Sequence, residues 1–298
     1  MSIKPNGLAC EPFKNVLTCF FRGLVALYRQ YQDPTLREVN SMTTTNPIIL
    51  IPSRMAAVRL PNKPLADIHG EPMVVHVWRR GMAANVGPVV VACCGPEIEG
   101  VVKQAGGQAV ITDPDLPKGT DRIYAALREI DASNPGQLHD VVINLQGDLP
   151  TISASLLRQV LVPLSNPAVD VATIAAPITQ EADLTTPSVV KIAMTEPQEM
   201  SGGVKVGRAL YFSRSPIPSG GTVHYHHIGV YAFRRKALEA YVEMPVSPLE
   251  AAEQLEQLRA LEAGMRIDVA IVNEIPPSID TPEELDHVRN VFKLHSVV

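Results

Sequence analysis

Apolar residues fall along this chain in two alternating rhythms. Short, mainly apolar runs at 48–51, 88–92, 109–111, 141–145 and 169–175 have the length and β-branched content of strands buried on both faces. Between them, apolar positions recur every three to four residues, which predicts helices over 72–84, 96–105, 119–131 and 153–164. Pro72 suits the first turn of the first helix, and Gly106-Gly107 ends the second. This alternation is that of an α/β fold, a mainly parallel sheet flanked by helices. The rhythm changes after about residue 185. Segments 189–194, 208–212 and 224–233 read as strands with no long helix between them, so a smaller antiparallel region, a candidate dimer arm, is expected over about 185–235. Parallel alternation resumes with a Leu-rich helix at 248–263, a strand at 266–272 and a closing helix at 282–293.

Residues 1–45 follow neither rhythm and end in Thr43-Thr44-Thr45. With Met42 just ahead of the first strand, this segment reads as an extension, disordered or an artefact of start-site choice. The working domain is expected over 46–298.

Composition narrows the field. Of 298 residues, 46 % are hydrophobic and 19 % charged, an ordinary soluble mix far from disorder. The formal net charge of −5 argues against coating a nucleic acid or lying on a membrane, since both need excess Lys and Arg. Four cysteines without C-x-x-C spacing make no disulfide framework for a chain this long, so a reducing cytoplasm is expected. The nearest approach to a membrane span, 16–27, contains Arg22 and falls short of the roughly 20 apolar residues required.

In such a sheet, ligands bind beyond the carboxyl ends of the strands. After the first strand comes a proline-stiffened loop carrying Arg54, Arg59 and Lys63. It is either a solvated basic loop or a cradle for a polyphosphate, and it has neither a Walker A nor a G-x-G-x-x-G glycine pattern. After the strand at 141–145 comes Gln146-Gly147-Asp148, where Asp148 is either a turn residue or a ligand for a hard cation. In Ile279-Asp280-Thr281-Pro282, Thr281 fits a helix N-cap, and Asp280 either leads into that helix or supplies a second carboxylate. Two aspartates facing a basic loop make a coherent Mg²⁺–nucleotide site. His224, His226 and His227 lack the Cys or carboxylate spacing of a zinc site, and Cys93-Cys94 reads as packing.

Several motifs, in order, resemble the 3-deoxy-manno-octulosonate (Kdo) cytidylyltransferase family. They are Ile51-Pro52-Ser53-Arg54, Arg59-Leu60-Pro61-Asn62-Lys63-Pro64, Gly119-Thr120-Asp121-Arg122, Leu145-Gln146-Gly147-Asp148, Leu210-Tyr211-Phe212-Ser213-Arg214, His227-Ile228-Gly229-Val230-Tyr231, Ser247-Pro248-Leu249-Glu250 with Leu255-Glu256-Gln257-Leu258-Arg259, and Asp280-Thr281-Pro282-Glu283. The resemblance runs from about Asn46 to the C-terminus. It implies a nucleotide-diphospho-sugar transferase (Rossmann-like) fold and a cytoplasmic homodimer that makes activated Kdo for lipopolysaccharide. It further implies that Ser53, Arg54, Lys63, Gly119, Thr120 and Arg122 hold CTP and that Asp148 and Asp280 ligate Mg²⁺. Gln146, Arg214, His227, Tyr231, Glu256 and Gln257 would line the sugar-acid pocket, with Arg54, Lys63, Asp148 and Asp280 as the catalytic set. The chain departs from the family pattern at Ser53, Ala57-Val58, Cys93-Cys94, Lys118 and Leu149. Those departures bear on base recognition more than on phosphate binding. The alternatives are a cytidylyltransferase for sialic acid or an amino-sugar analogue, and a catalytically silent nucleotide-binding protein.

Overall fold

The computed structural model describes residues 45–56, 59–200 and 202–295, with side chains as far as 292. The extension at 1–44 and the Ala57-Val58 departure lie outside the described residues. The first apolar run forms β1 (Pro47–Ser53). A single 3₁₀ turn at Lys63–Leu65 comes next, then a hairpin of β2 (Asp67–Ile68) and β3 (Glu71–Pro72), which leads into α1 (Met73–Ala84). Alternation continues through β4 (Val89–Cys93), α2 (Pro96–Gln104), β5 (Gln108–Ile111), α3 (Gly119–Ser133), β6 (Val141–Asn144), α4 (Ala154–Gln159) and β7 (Val171–Pro177). Then come α5 (Glu181–Thr185), β8 (Lys191–Met194), β9 (Gln198–Glu199), β10 (Lys205–Ser213), β11 (Tyr225–Arg234) and α6 (Arg235–Val242). The chain closes with α7 (Pro248–Glu253), α8 (Gln257–Glu262), β12 (Ile267–Ile271) and α9 (Pro282–His295).

One large sheet runs in the order β5-β4-β1-β6-β11-β7-β12-β10-β8, with β9 beside β10. Strands β5, β4, β1 and β6 are mutually parallel, as are β7 and β12. The antiparallel strands do not stand apart as an arm. β11 runs through the middle of the sheet, antiparallel to both β6 and β7, while β10 and β8 extend the far edge. The reason is apolar content. Ile228 and Val230 enter the core on one face, and Tyr231 and Phe233 enter the core on the other, so β11 needs cover on both sides.

The period-two rule sorts β1 in the same way. Ile49 and Ile51 pack with α1, α2 and α4, whereas Ile48 and Leu50 pack with α3, α6 and α8. Each such fully buried side chain contributes roughly 1.5–3 kcal/mol. Two expected helices are shorter than their patterns. The one at 153–164 stops at Gln159 and resumes as a 3₁₀ turn with Pro163 in its first two positions, because proline has no N–H for an α-helical bond. The one at 248–263 breaks at Gln254, whose left-handed φ of 54° separates α7 from α8.

A third apolar cluster ties together loops that are far apart in sequence. Leu60, Ile68 and Met73 pack against Ile279, Leu285 and Val288, which binds the loop after β1 to the start of α9. The Ile279 N–H also donates to the Asp148 carbonyl at 3.0 Å, so the loop after β6 shares the same anchor.

Candidate functional site

The carboxyl ends of β1 and β6, with the N-terminus of α3 and the α7–α8 corner, wall a cavity of about 820 Å³. That is the size range of small-molecule sites. Its charged lining includes Arg54, Arg59, Lys63, Lys118, Asp148 and Asp280. Close backbone contact forms its floor. A Cβ on Gly147 would stand 2.8 Å from the Pro52 carbonyl oxygen, so only glycine lets the β6 loop lie against the β1 loop and aim Asp148 inward.

The two aspartates meet on one ammonium. Lys63 Nζ donates to Asp148 Oδ2 at 3.0 Å and to Asp280 Oδ1 at 2.8 Å, and Arg59 pairs with Asp280 Oδ2 at 2.9 Å. Burial alone would lower the Lys63 pKa, but the charge and hydrogen bonds of Asp148 and Asp280 outweigh it and raise the value. Burial would raise the Asp280 carboxyl, and Lys63 followed by Arg59 overcomes this and holds it below its ordinary range. Asp280 is fixed from behind. Thr281 caps α9 by accepting from the Glu284 N–H, and the Glu284 carboxylate accepts from the Asp280 and Thr281 N–H groups.

This donor set fits a magnesium ion. Two hard carboxylate oxygens converge on one cation, and Mg²⁺ characteristically takes one or two carboxylates and completes its shell with water and substrate phosphates. No group of three or more His, Cys, Asp or Glu placed to hold a metal occurs among the described residues.

The other sequence-derived residues divide between the cavity and its surroundings. Ser53, Arg54, Gly119, Arg122, Gln146 and Glu256 line it. Arg122 is nevertheless buried, and its guanidinium donates to Thr112 Oγ1 and to the Asp113 and Pro114 carbonyls, which ties down the loop after β5. Thr120 lies behind the wall and donates to Glu256 Oε1 at 3.0 Å. Burial raises the Glu256 carboxyl, and the Thr120 hydroxyl works against that shift. Tyr231 and Gln257 border a second void of about 10 Å³ with Thr120 and Glu256, and the buried Gln257 Nε2 has no hydrogen-bond partner. His227 is buried between Phe212 and Tyr231 with Nε2 3.0 Å from Thr173 Oγ1; burial, and secondarily the His226 charge, push its pKa down to about 3. Arg214 spends its guanidinium on the Glu253, Gln254 and Pro187 carbonyls. His227, Tyr231, Gln257 and Arg214 therefore do not line the cavity wall.

Sequence reasoning left Glu250 without a role. It is buried, grips Arg259 through two hydrogen bonds of 2.7 and 2.8 Å, pairs with Lys118 and closes a capping box with Ser247. The Ser-Pro-Leu-Glu spacing is the signal for that box. Lys118, a departure from the family pattern, thus brings a charge to the cavity wall that is matched by a carboxylate. Of the remaining departures, Leu149 and Cys93 are core residues, and Cys94 Sγ lies 3.4 Å from the Met55 N–H, which donates to it.

Among the described residues no helix is long and apolar enough to cross a membrane. A family model described as cytidylyltransferase matches residues 48–267. A 3-deoxy-manno-octulosonate cytidylyltransferase of Paramagnetospirillum magneticum is 52 % identical over 252 residues, covering 85 % of this chain and all of that one. A protein of the same name from Parvibaculum lavamentivorans is 50 % identical over 85 % of this chain and 95 % of its own. A solved structure of CMP:2-keto-3-deoxy-manno-octonic acid synthetase complexed with CTP superposes with a TM-score of 0.75 at 38 % identity, over 84 % of this chain and 100 % of that one.

Proposed function

Because this chain belongs to the 3-deoxy-manno-octulosonate cytidylyltransferase family, we propose that it transfers CMP from CTP to Kdo and releases pyrophosphate, supplying activated sugar for lipopolysaccharide. The observation that carries the reading is the convergence of Asp148 and Asp280 on Lys63 at the floor of a cavity large enough for both substrates.

The anomeric hydroxyl oxygen attacks the α-phosphorus of CTP in line. A bond from that oxygen to phosphorus forms, the bond to the bridging oxygen of pyrophosphate breaks, and the hydroxyl proton passes to water. Chemistry of this kind asks a protein mainly for positioning and charge. Arg54 and Lys63 offset the charge gathering on the departing pyrophosphate. Asp148 and Asp280, presented from two loops that share a backbone hydrogen bond, would hold Mg²⁺. When bound, that ion would supply Lewis-acid charge that offsets the negative charge of the reacting phosphate. Arg59, paired with Asp280, keeps that carboxylate ionised and aimed inward. Gln146 and Glu256 face the sugar acid. The enzyme acts in the cytoplasm as a homodimer.

The test is a pyrophosphate-release assay with Mg²⁺ across CTP, UTP and ATP and across several sugar acids. Release with CTP and Kdo, and little with the other nucleotides, is expected. Release with a sialic acid or an amino-sugar acid but not with Kdo would move the acceptor assignment, and silence with every pair would leave a nucleotide-binding protein without this activity.

A further inference from the structure

Behind the cavity wall, a line of four side chains joins Gln146 to Glu256. Gln146 Nε2 donates to Asn144 Oδ1 at 3.1 Å, and Asn144 Nδ2 donates to Thr120 Oγ1 at 3.4 Å. Thr120 Oγ1 donates in turn to Glu256 Oε1 at 3.0 Å. The two outer members line the cavity, and the two inner members are buried, with Asn144 fully enclosed and Thr120 1 % exposed. Asn144 sits on β6 in register with Leu50 of β1 and Tyr231 of β11, so the strand to either side holds its backbone rigid. Residues 144 and 146 lie two apart and share a side, and Thr120 enters from the first turn of α3.

The line has a direction. A carboxylate only accepts, so Thr120 gives its single hydroxyl proton to Glu256. Its oxygen must then receive from Asn144, and this turns Nδ2 toward Thr120 and Oδ1 toward Gln146. Asn144 Oδ1 in turn claims the Gln146 amide nitrogen. What Gln146 offers elsewhere is therefore Oε1 together with its second Nε2 proton, and Oε1 points to the α3 side, 3.9 Å from where a Gly119 Cβ would lie. Both ends of the line present acceptors to the cavity.

We infer that Asn144 and Thr120 are positioning residues that lock Gln146 into its acceptor orientation, so that this wall selects ligand hydroxyl groups as hydrogen-bond donors. The inference rests on the reading of the cavity as a sugar-acid site and says which chemistry that site reads. A polyhydroxylated acid satisfies two fixed acceptors; a ligand offering only acceptors at the same positions leaves them facing lone pairs. Such a site discriminates strongly because its own polar groups go unpaired with the wrong ligand.

The test compares Kdo with analogues in which one hydroxyl at a time is replaced by fluorine, an acceptor of similar size. The wild-type enzyme is expected to lose about 100-fold or more in kcat/KM with at least one analogue. In Asn144→Leu the Gln146 amide is free to rotate, and the ratio of Kdo to that analogue should narrow by about tenfold. Thr120→Val should do the same, and Thr120→Ser, which keeps the hydroxyl, should restore discrimination. The KM for CTP should stay within about twofold in Asn144→Leu, whose position belongs to no proposed nucleotide contact. A general packing defect would move the CTP value with the sugar value and leave the ratio unchanged. Should Asn144→Leu fail to fold, the Thr120 pair decides the question. Wild-type turnover with no sensitivity to fluorine at any position, or folded variants with unaltered ratios, would overturn the relay alone. No turnover with any sugar acid would overturn the functional reading on which it rests.

Discussion

Replacing Lys63 with methionine separates two consequences of one side chain. The ammonium touches both carboxylates that are proposed to hold the ion, at 3.0 and 2.8 Å. A cation arriving without CTP must displace it. A hydrogen bond to a charged group contributes about 1.5–3 kcal/mol. The side chains of Asp148 and Asp280 are 26 % and 39 % exposed, so solvent screening places both bonds at or below the lower end of that range. Displacement then costs about 2–2.7 kcal/mol, or a factor of roughly 30–100 in affinity. Methionine keeps the unbranched stem and removes the charge. Titration with Mn²⁺, read as loss of the free-ion electron paramagnetic resonance signal in protein without CTP, should show Lys63→Met binding about 30–100-fold more tightly than wild type. Adding Asp148→Asn to that variant should abolish the gain. Pyrophosphate release by Lys63→Met should nonetheless fall about 10²–10³-fold, because the pyrophosphate has lost a counter-charge. Equal Mn²⁺ affinity in wild type and variant would refute the idea that the lysine occupies the ion's place.

The same geometry fixes three further outcomes. Asp148→Ala should lower pyrophosphate release by at least about 10²-fold while far-ultraviolet circular dichroism and the thermal midpoint stay near wild type; retention of a tenth of the rate or more would remove it from the catalytic set. Arg259→Met leaves the buried Glu250 with Lys118 as its remaining ion-pair partner, and urea denaturation should show a loss of about 3 kcal/mol, with less than about 1 kcal/mol contradicting the importance of that pair. His227 has a folded pKa of about 3, below the roughly 6.5 of the unfolded chain, so the unfolded state takes up the proton first. Its contribution is present above pH 6.5 and is lost as pH falls toward 3, by about 1 kcal/mol at pH 5.5. In His227→Gln the urea midpoint should be correspondingly less sensitive between pH 7 and 5.5.

The order of strands and helices was legible because the sheet is buried on both faces, which writes β1, β4, β6 and β7 as mainly apolar runs. The place of β11 was not, since apolar content tells how deeply a strand is buried and not which neighbours it takes. The break at Gln254 left no mark because a left-handed residue other than glycine is selected by tertiary packing. In the site, Gly147 and the Thr281-Pro282 cap announced two half-buried aspartates, one in the loop after β6 and one just before α9. Their common contact with Lys63 is a property of three loops meeting and has no local signature. Motif matching grouped Arg214, His227, Tyr231 and Gln257 with the sugar pocket, whereas their hydrogen bonds and burial put them behind or beside the cavity wall. Asn144 escaped notice because a lone asparagine inside an apolar strand acquires meaning only once its two amide atoms have partners.

Two carboxylates sharing one ion beside the nucleotide are the core of the proposed mechanism. A crystal soaked with CTP and Mn²⁺ and measured at the manganese edge locates that ion directly. We expect one anomalous peak within about 2.3 Å of a carboxylate oxygen from both Asp148 and Asp280, adjoining the α-phosphate, with the Lys63 ammonium moved onto phosphate oxygens. A peak held by only one of the two aspartates, or by neither, would contradict it.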